Sequence, residues 1–149
     1  MPTRRKTIAV INGPNLNLLG QRETEYYGMQ PWKDIYADLQ KLAQAEQVEL
    51  TAFQSNHEGA LIDYIQQNGT DLSGMIINAG ALSHYSLALY DVLKWLPYPF
   101  IEVHLSNIYA REDWRQNSLL SPLAAGVIVG LGAYGYEMAL RALIQNTSD

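Results

Sequence analysis

The chain has 149 residues, 48% of them hydrophobic, which is enough for one ordinary globular core, and a formal net charge of −5. An acidic chain whose one basic run is Arg4, Arg5 and Lys6, a solvated tail, lacks the basic stripe that a nucleic-acid partner needs. It contains no cysteine, which removes disulfide frameworks, thiolate metal sites and a thiol nucleophile.

Short runs rich in β-branched residues mark the strand candidates. The first, Ile8 to Ile11, is too short for the core of a secretion signal, and no apolar run approaches the ~20 residues that span a bilayer, so a cytoplasmic protein with no membrane partner is expected. It closes on Asn12, Gly13, Pro14 and Asn15. The connection Gly13 to Met29 is long for a compact domain, and its part from Gly20 to Gly28 carries Arg22, Glu23, Glu25, Tyr26 and Tyr27 between two glycines. That composition suits either a hinged lid over an anionic ligand or a solvated surface loop.

Pro31 suits a first helical position, and Trp32, Ile35, Tyr36, Leu39, Leu42 and Ala43 follow at helical spacing, with one face built for burial. Val48 to Phe53 is the second strand. Ser55 or Asn56 can then cap a helix through Leu61, Ile62 and Ile65, with His57 a surface or capping residue. Met75 to Ile77 is the third strand, followed by Asn78 and by His84, which opens a helix bearing Asp91 two turns later. Either that pair is a surface contact or the helix N-terminus keeps His84 neutral at a binding site. The helix carries Leu87, Ala88, Val92 and Leu93 before Pro97 and Pro99 stop it.

The fourth strand, Phe100 to Val103, holds Glu102 in apolar surroundings, where an unpaired carboxylate is costly to bury. Residues two apart share a face of a strand, so His104 is one natural partner, oriented by the carboxylate and favoured in its protonated form. An arginine in a structural ion pair is the other. In a second long connection, Tyr109 to Ala124, Arg111 and Arg115 are four apart and would face one way on a helical turn, or balance Glu112 and Asp113 at the surface. Val127 to Val129 and a helix from about Tyr136 to Ile144 complete the pattern.

Buried strands alternating with amphipathic helices call for right-handed crossovers and a parallel sheet covered on both faces. Five strands fit a single α/β domain over residues 1–149, a flavodoxin-like three-layer sandwich with a five-stranded parallel sheet. Ligands of such sheets bind outside the carboxyl ends of the strands. Here those ends bring Asn12 to Asn15, Asn78 with His84, and His104 with Ser106 and Asn107 to one edge. Arg22, Arg111 and Arg115 lie on segments able to face that edge, as a carboxylate ligand requires.

Other chemistries fail on the residues present. Gly13 to Gly20 lacks the Gly-Lys-Ser/Thr ending and the dinucleotide glycine spacing of phosphate loops, and Asn12 stands where a receiver domain needs clustered acids. Ser86 and Ser106 have no nucleophile elbow, and the three histidines show no zinc spacing. A non-catalytic flavodoxin-like module that binds a small anionic metabolite is the alternative to an enzyme at such an edge.

The runs "INGPNLNLLGQRETEYYG", "FQSNHEGALIDYI", "INAGALSHYSLALYDVL", "EVHLSNIYAREDWRQNSLLSP" and "GVIVGLGAYGYEMALRAL" resemble, in order and spacing over nearly the whole chain, the type II 3-dehydroquinate dehydratases. The resemblance implies a flavodoxin-like fold, no metal or cofactor, a homododecamer made as four trimers, and dehydration of 3-dehydroquinate to 3-dehydroshikimate through an enolate. It implies Tyr27 as the base that removes the proton beside the ketone and His104 as the acid that protonates the departing hydroxyl. Arg22 would activate Tyr27 with Arg111 nearby, Asn15 would hold the water that hydrogen-bonds the enolate oxygen, and Glu102 would orient His104. The substrate carboxylate falls to Asn78 and the backbone around Leu105 and Ser106, and the ring hydroxyls to His84 and Arg115, with Asp91 reaching in from a neighbouring subunit. Tyr109, Tyr90 and Ala79 stand where such proteins frequently carry His, Arg and Pro, which bears on subunit contacts and local packing. Aromatic biosynthesis and quinate breakdown both use this reaction, and the residues do not distinguish them.

Overall fold

The structure, a computed structural model, describes residues 5–21 and 23–146. β1 (Thr7–Asn12) leads into the long connection, which holds a 3-10 turn at Leu16–Leu18 and a four-residue helix, α1 (Thr24–Tyr27). There follow α2 (Trp32–Ala45), β2 (Glu49–Gln54), α3 (Glu58–Asn68), β3 (Gly74–Asn78), α4 (Leu87–Lys94), β4 (Phe100–His104), β5 (Gly126–Val129) and α5 (Tyr134–Asn146). The strands form one parallel sheet in the order β2-β1-β3-β4-β5, an α/β arrangement with helices on both faces. Among the described residues no helix is long and apolar enough to cross a membrane.

Local chemistry places most element ends where their side chains allow. Pro31 is the N-cap of α2 rather than its first helical residue, and its φ of −71° serves an extended cap equally well. Ile35, Leu39 and Ala43, four apart, are the buried stripe of that helix. Burying side chains the size of Ile or Leu stabilises by ~1.5–3 kcal/mol each, so a charged residue at Leu39 would uncouple α2 from the sheet. His57 occupies the N-cap position of α3 without a side-chain cap bond, while Ser55 Oγ accepts from its backbone N–H at 3.0 Å. His84 does not open a helix. It ends a 3-10 turn, Gly80–His84, and α4 starts only after Ser86, whose hydroxyl caps it by accepting from the Leu89 N–H at 3.0 Å.

The two-residue period of each strand decides which way its last residue points. Ile8 and Val10 of β1 and Ile76 of β3 pack with α2 and α5, so Asn12 and Asn78 continue onto that face. Ile11, Met75, Ile77 and Phe100 pack with α3 and α4, and Glu102 and His104 continue from Phe100 onto that one. Register sets Asn12 beside Asn78 across β1 and β3. The pair is locked by the Gly13 N–H, which donates to the Asn78 carbonyl at 2.8 Å. A Cβ on Gly13 would lie 2.4 Å from the Ala79 carbonyl oxygen, so only glycine permits this approach.

Candidate active site

The carboxyl ends of β1, β3 and β4 open onto a solvent-connected cleft. Asn15, Tyr27, Asn78, His84, His104, Ser106, Arg111 and Arg115 all line it. Glu102 is fully buried beside His104, and Leu105 packs into the core on the α2 and α5 face. Asp91 is exposed on α4, in a separate groove with Ile62, Gln66 and Trp95. Arg22 lies outside the described residues. Tyr109 is exposed, Tyr90 is half-buried and Ala79 is buried against Gly13.

One wall is a buried proton-handling set. His104 Nε2 is hydrogen-bonded to Glu102 Oε2, so Nδ1 is the ring nitrogen left for the cleft. Glu102 also accepts from Ser118 Oγ at 2.7 Å and Ser121 Oγ at 2.6 Å. Burial alone would raise the Glu102 carboxyl, but the hydrogen bonds from His104, Ser121 and Ser118 outweigh it and hold the group below its ordinary value. The carboxylate therefore remains an acceptor fixed on the imidazole.

The opposite wall is built around Arg111, whose side chain is 5% exposed. Arg111 Nη1 donates to Tyr27 Oη at 2.7 Å and to Ser106 Oγ at 3.2 Å. Its guanidinium carbon lies 4.3 Å from the Tyr26 ring centroid, and Glu23 approaches to 3.7 Å. Arg111 and Arg115 do not share a helical turn. Arg111 follows the turn Ile108–Ala110 in extended conformation and Arg115 ends a second turn, Asp113–Arg115, so they reach the cleft by separate bends. Arg115 is held by Glu112 at 2.5 Å and lies 4.1 Å over the Trp114 ring.

His84 is lowered below its ordinary value chiefly by burial, with Arg115 and His104 acting in the same direction against its bond to Asn117. The cause is therefore desolvation rather than a helix N-terminus. Its Nδ1 lies 2.9 Å from the Asn117 carbonyl, which can only accept, so the neutral ring carries its proton there and offers Nε2 as an acceptor. Asn15 is held in the left-handed region, φ 70°, with its N–H donating to Asn56 Oδ1 at 2.9 Å. Asn78 Nδ2 donates to Tyr136 Oη at 3.0 Å and its Oδ1 accepts from the Gly80 N–H at 3.3 Å, and Tyr136 Oη donates to Asn12 Oδ1 at 2.7 Å.

Sequence reasoning missed Ser118, Ser121 and Tyr136. A signal existed for the serines: a buried carboxylate needs several donors, one histidine supplies one, and Ser118 and Ser121 lie in the loop that follows β4. Tyr136 left none, because a tyrosine on the buried stripe of a terminal helix reads as core. Among the described residues no group of three or more His, Cys, Asp or Glu side chains is arranged to hold a metal ion.

A strand-end cleft lined by Tyr27 and His104, with arginine and amide donors around it, is the ligand site of a three-layer α/β protein. The family model described as "Dehydroquinase class II" matches residues 6–144, and the chain belongs to that family. It is 55% identical over 145 residues, 95% of this chain and 96% of the relative, to a 3-dehydroquinate dehydratase of Polynucleobacter asymbioticus. It is 50% identical over 144 residues, 97% and 96% of the two chains, to a catabolic 3-dehydroquinase of Aspergillus clavatus. The crystal structure of the type II dehydroquinase from Butyrivibrio crossotus superimposes with a TM-score of 0.90 at 42% identity, covering 93% of this chain and 97% of that one.

Proposed function

We propose that this chain dehydrates 3-dehydroquinate to 3-dehydroshikimate by removing a proton at one wall of the cleft and delivering one at the other. The observation that carries the mechanism is the 2.7 Å hydrogen bond from Arg111 to the Tyr27 hydroxyl across from the Glu102–His104 pair. The guanidinium fixes the phenolic oxygen at the cleft, and in this reading Tyr27 is the base. Its attack on the C–H beside the ketone sends the electron pair to the carbonyl oxygen, where Asn15, acting through a water, stabilises the enolate. Collapse of the enolate forms the C–C double bond and breaks the C–O bond, and the hydroxyl takes the His104 proton and leaves as water. Solvent then returns a proton to His104 and removes one from Tyr27. A binding module would need no such opposed pair.

Around this chemistry we assign the substrate carboxylate to Asn78 and the backbone at Leu105 and Ser106, and the ring hydroxyls to His84 and Arg115. Arg22 shares the activation of Tyr27 with Arg111 in this reading. We further propose one domain over residues 1–149, working in the cytoplasm and assembled as a homododecamer of four trimers. Support for assembly is that Asp91 is exposed on α4 near Leu87 and Trp95, which are 68% and 54% exposed, away from its own cleft. A neighbouring copy would bring that carboxylate to the substrate.

The test is ultraviolet absorbance of the purified protein with 3-dehydroquinate, following the conjugated enone of the product. The wild type is expected to form the band, and Tyr27→Phe to lose ~10³-fold in kcat while still binding substrate. Near-normal turnover in Tyr27→Phe would remove the base assignment, and no band from assembled wild-type protein would remove the reaction.

A further inference from the structure

We propose that Tyr136 is a positioning residue for substrate recognition: its hydroxyl accepts from the Asn78 side chain and holds the amide in the orientation that the Gly80 N–H dictates, so that its second N–H is offered to an anionic group in the cleft. The proposal rests on the assignment of Asn78 to the substrate carboxylate. Asn78 is 3% exposed yet lines the cleft, whereas Asn12 and Tyr136 lie behind it at 1% and 0% exposure and act through it.

The polarity follows from one group that cannot be reversed. The Gly80 backbone N–H only donates, so the end of the Asn78 amide that it meets at 3.3 Å is the oxygen. The nitrogen then faces Tyr136 and donates to its hydroxyl at 3.0 Å, which leaves the hydroxyl proton for Asn12 Oδ1 at 2.7 Å. All three bonds agree in direction. Flipping Asn78 would set its NH2 against the Gly80 N–H, and its oxygen could be satisfied only if the Tyr136 hydroxyl turned from Asn12 to donate to it. The Tyr136 hydroxyl is raised by burial and stays neutral, able to accept and donate together. Its ring is held edge-on to Trp32, with centroids 5.1 Å apart, so the relay is anchored in the core between α2 and α5. Among the described residues the Tyr136 hydroxyl is the one acceptor of the Asn78 NH2, and the second N–H remains for the ligand.

An N–H held this way bonds a charged carboxylate more strongly than a neutral carboxamide. Isothermal titration calorimetry with 3-dehydroshikimate and with its carboxamide reads that preference as a ratio of Kd values. In Tyr136→Phe, which keeps the ring on Trp32, the ratio is expected to narrow about tenfold, with KM for 3-dehydroquinate rising by a similar factor and kcat falling less than about threefold. An unchanged ratio, with both ligands weakened alike or kcat lost, would mean that Tyr136 only packs the core, and the proposal falls. Asn78→Ala separates the two layers of argument: if it too leaves the ratio at the wild-type value, the carboxylate assignment fails, and the proposal with it. Should Tyr136→Phe not fold, Asn12→Ala, which frees the hydroxyl proton at the far end of the relay, is expected to narrow the ratio in the same direction, and a wild-type ratio there overturns the proposal.

Discussion

The two walls of the cleft come from opposite faces of one sheet and are built on opposite terms. The proposed acid, His104, ends β4 at 5% exposure, and its partner Glu102 is fully buried with both oxygens occupied by His104, Ser118 and Ser121. The proposed base, Tyr27, ends a four-residue helix with no buried residue, set between Gly20 at φ +88° and Gly28 at φ +80°. A strand end moves only with its sheet. A single turn between two glycines in conformations that other residues rarely adopt is held by side chains, Tyr27 and Tyr26 on Arg111, rather than by a sheet. The proposed acid is therefore set by the sheet, whereas the proposed base is set by side-chain contact with Arg111, whose Nη1 lies 2.7 Å from Tyr27 Oη and 3.2 Å from Ser106 Oγ.

The largest effect that bears on this contrast is expected from Arg111→Ala. Steady-state absorbance should show kcat reduced ~10²–10³-fold, because the fixed donor on the Tyr27 oxygen is gone. A loss below about tenfold would shift the activation of Tyr27 to Arg22.

On the buried wall, Glu102→Gln is expected to lower kcat ~10–100-fold and to change how stability responds to acid. The Glu102 carboxyl is held below its ordinary value of 4.5, so its contribution to stability is complete above that value and is lost as pH falls through the lower folded one. Urea midpoints of wild type and Glu102→Gln should therefore converge between pH ~6 and pH ~3. A gap independent of pH would show that the fold does not hold this carboxylate ionised.

The smallest effect belongs to the lid. A Cβ at Gly28 would meet no atom within 4 Å, so Gly28→Ala carries only the strain of its positive φ. The expected result is a severalfold fall in kcat/KM with the melting temperature within ~1 °C of wild type. A large drop in melting temperature would mean that the lid belongs to the cooperative core.

Much of this contrast is readable in the residues. All five strand candidates are strands, because their apolar runs are too short to leave a helical alternative. The Glu102–His104 contact follows from their two-residue spacing in an extended segment. Arg111 and Arg115 show where such reasoning stops. A spacing of four is informative only inside a continuous helix, and the segment is instead two short turns with an extended residue between them. His84 fails for a related reason: Ser83 to Leu87 reads as one helix start, yet the chain makes a 3-10 turn first and lets Ser86 cap α4.

The sequence by itself determined the order and type of the elements, the polar strand ends and the family, since periodicity, turn residues and motif spacing are properties of neighbours along the chain. Only the tertiary structure decided that Tyr136 would meet Asn78 from 58 positions away and Asn12 from 124, and that Ser118 and Ser121 would close on Glu102. A hydroxyl has the same local signature in a core, a loop or a site. Its partner is chosen by strand register and by which face each side chain leaves, and those are settled when the sheet closes.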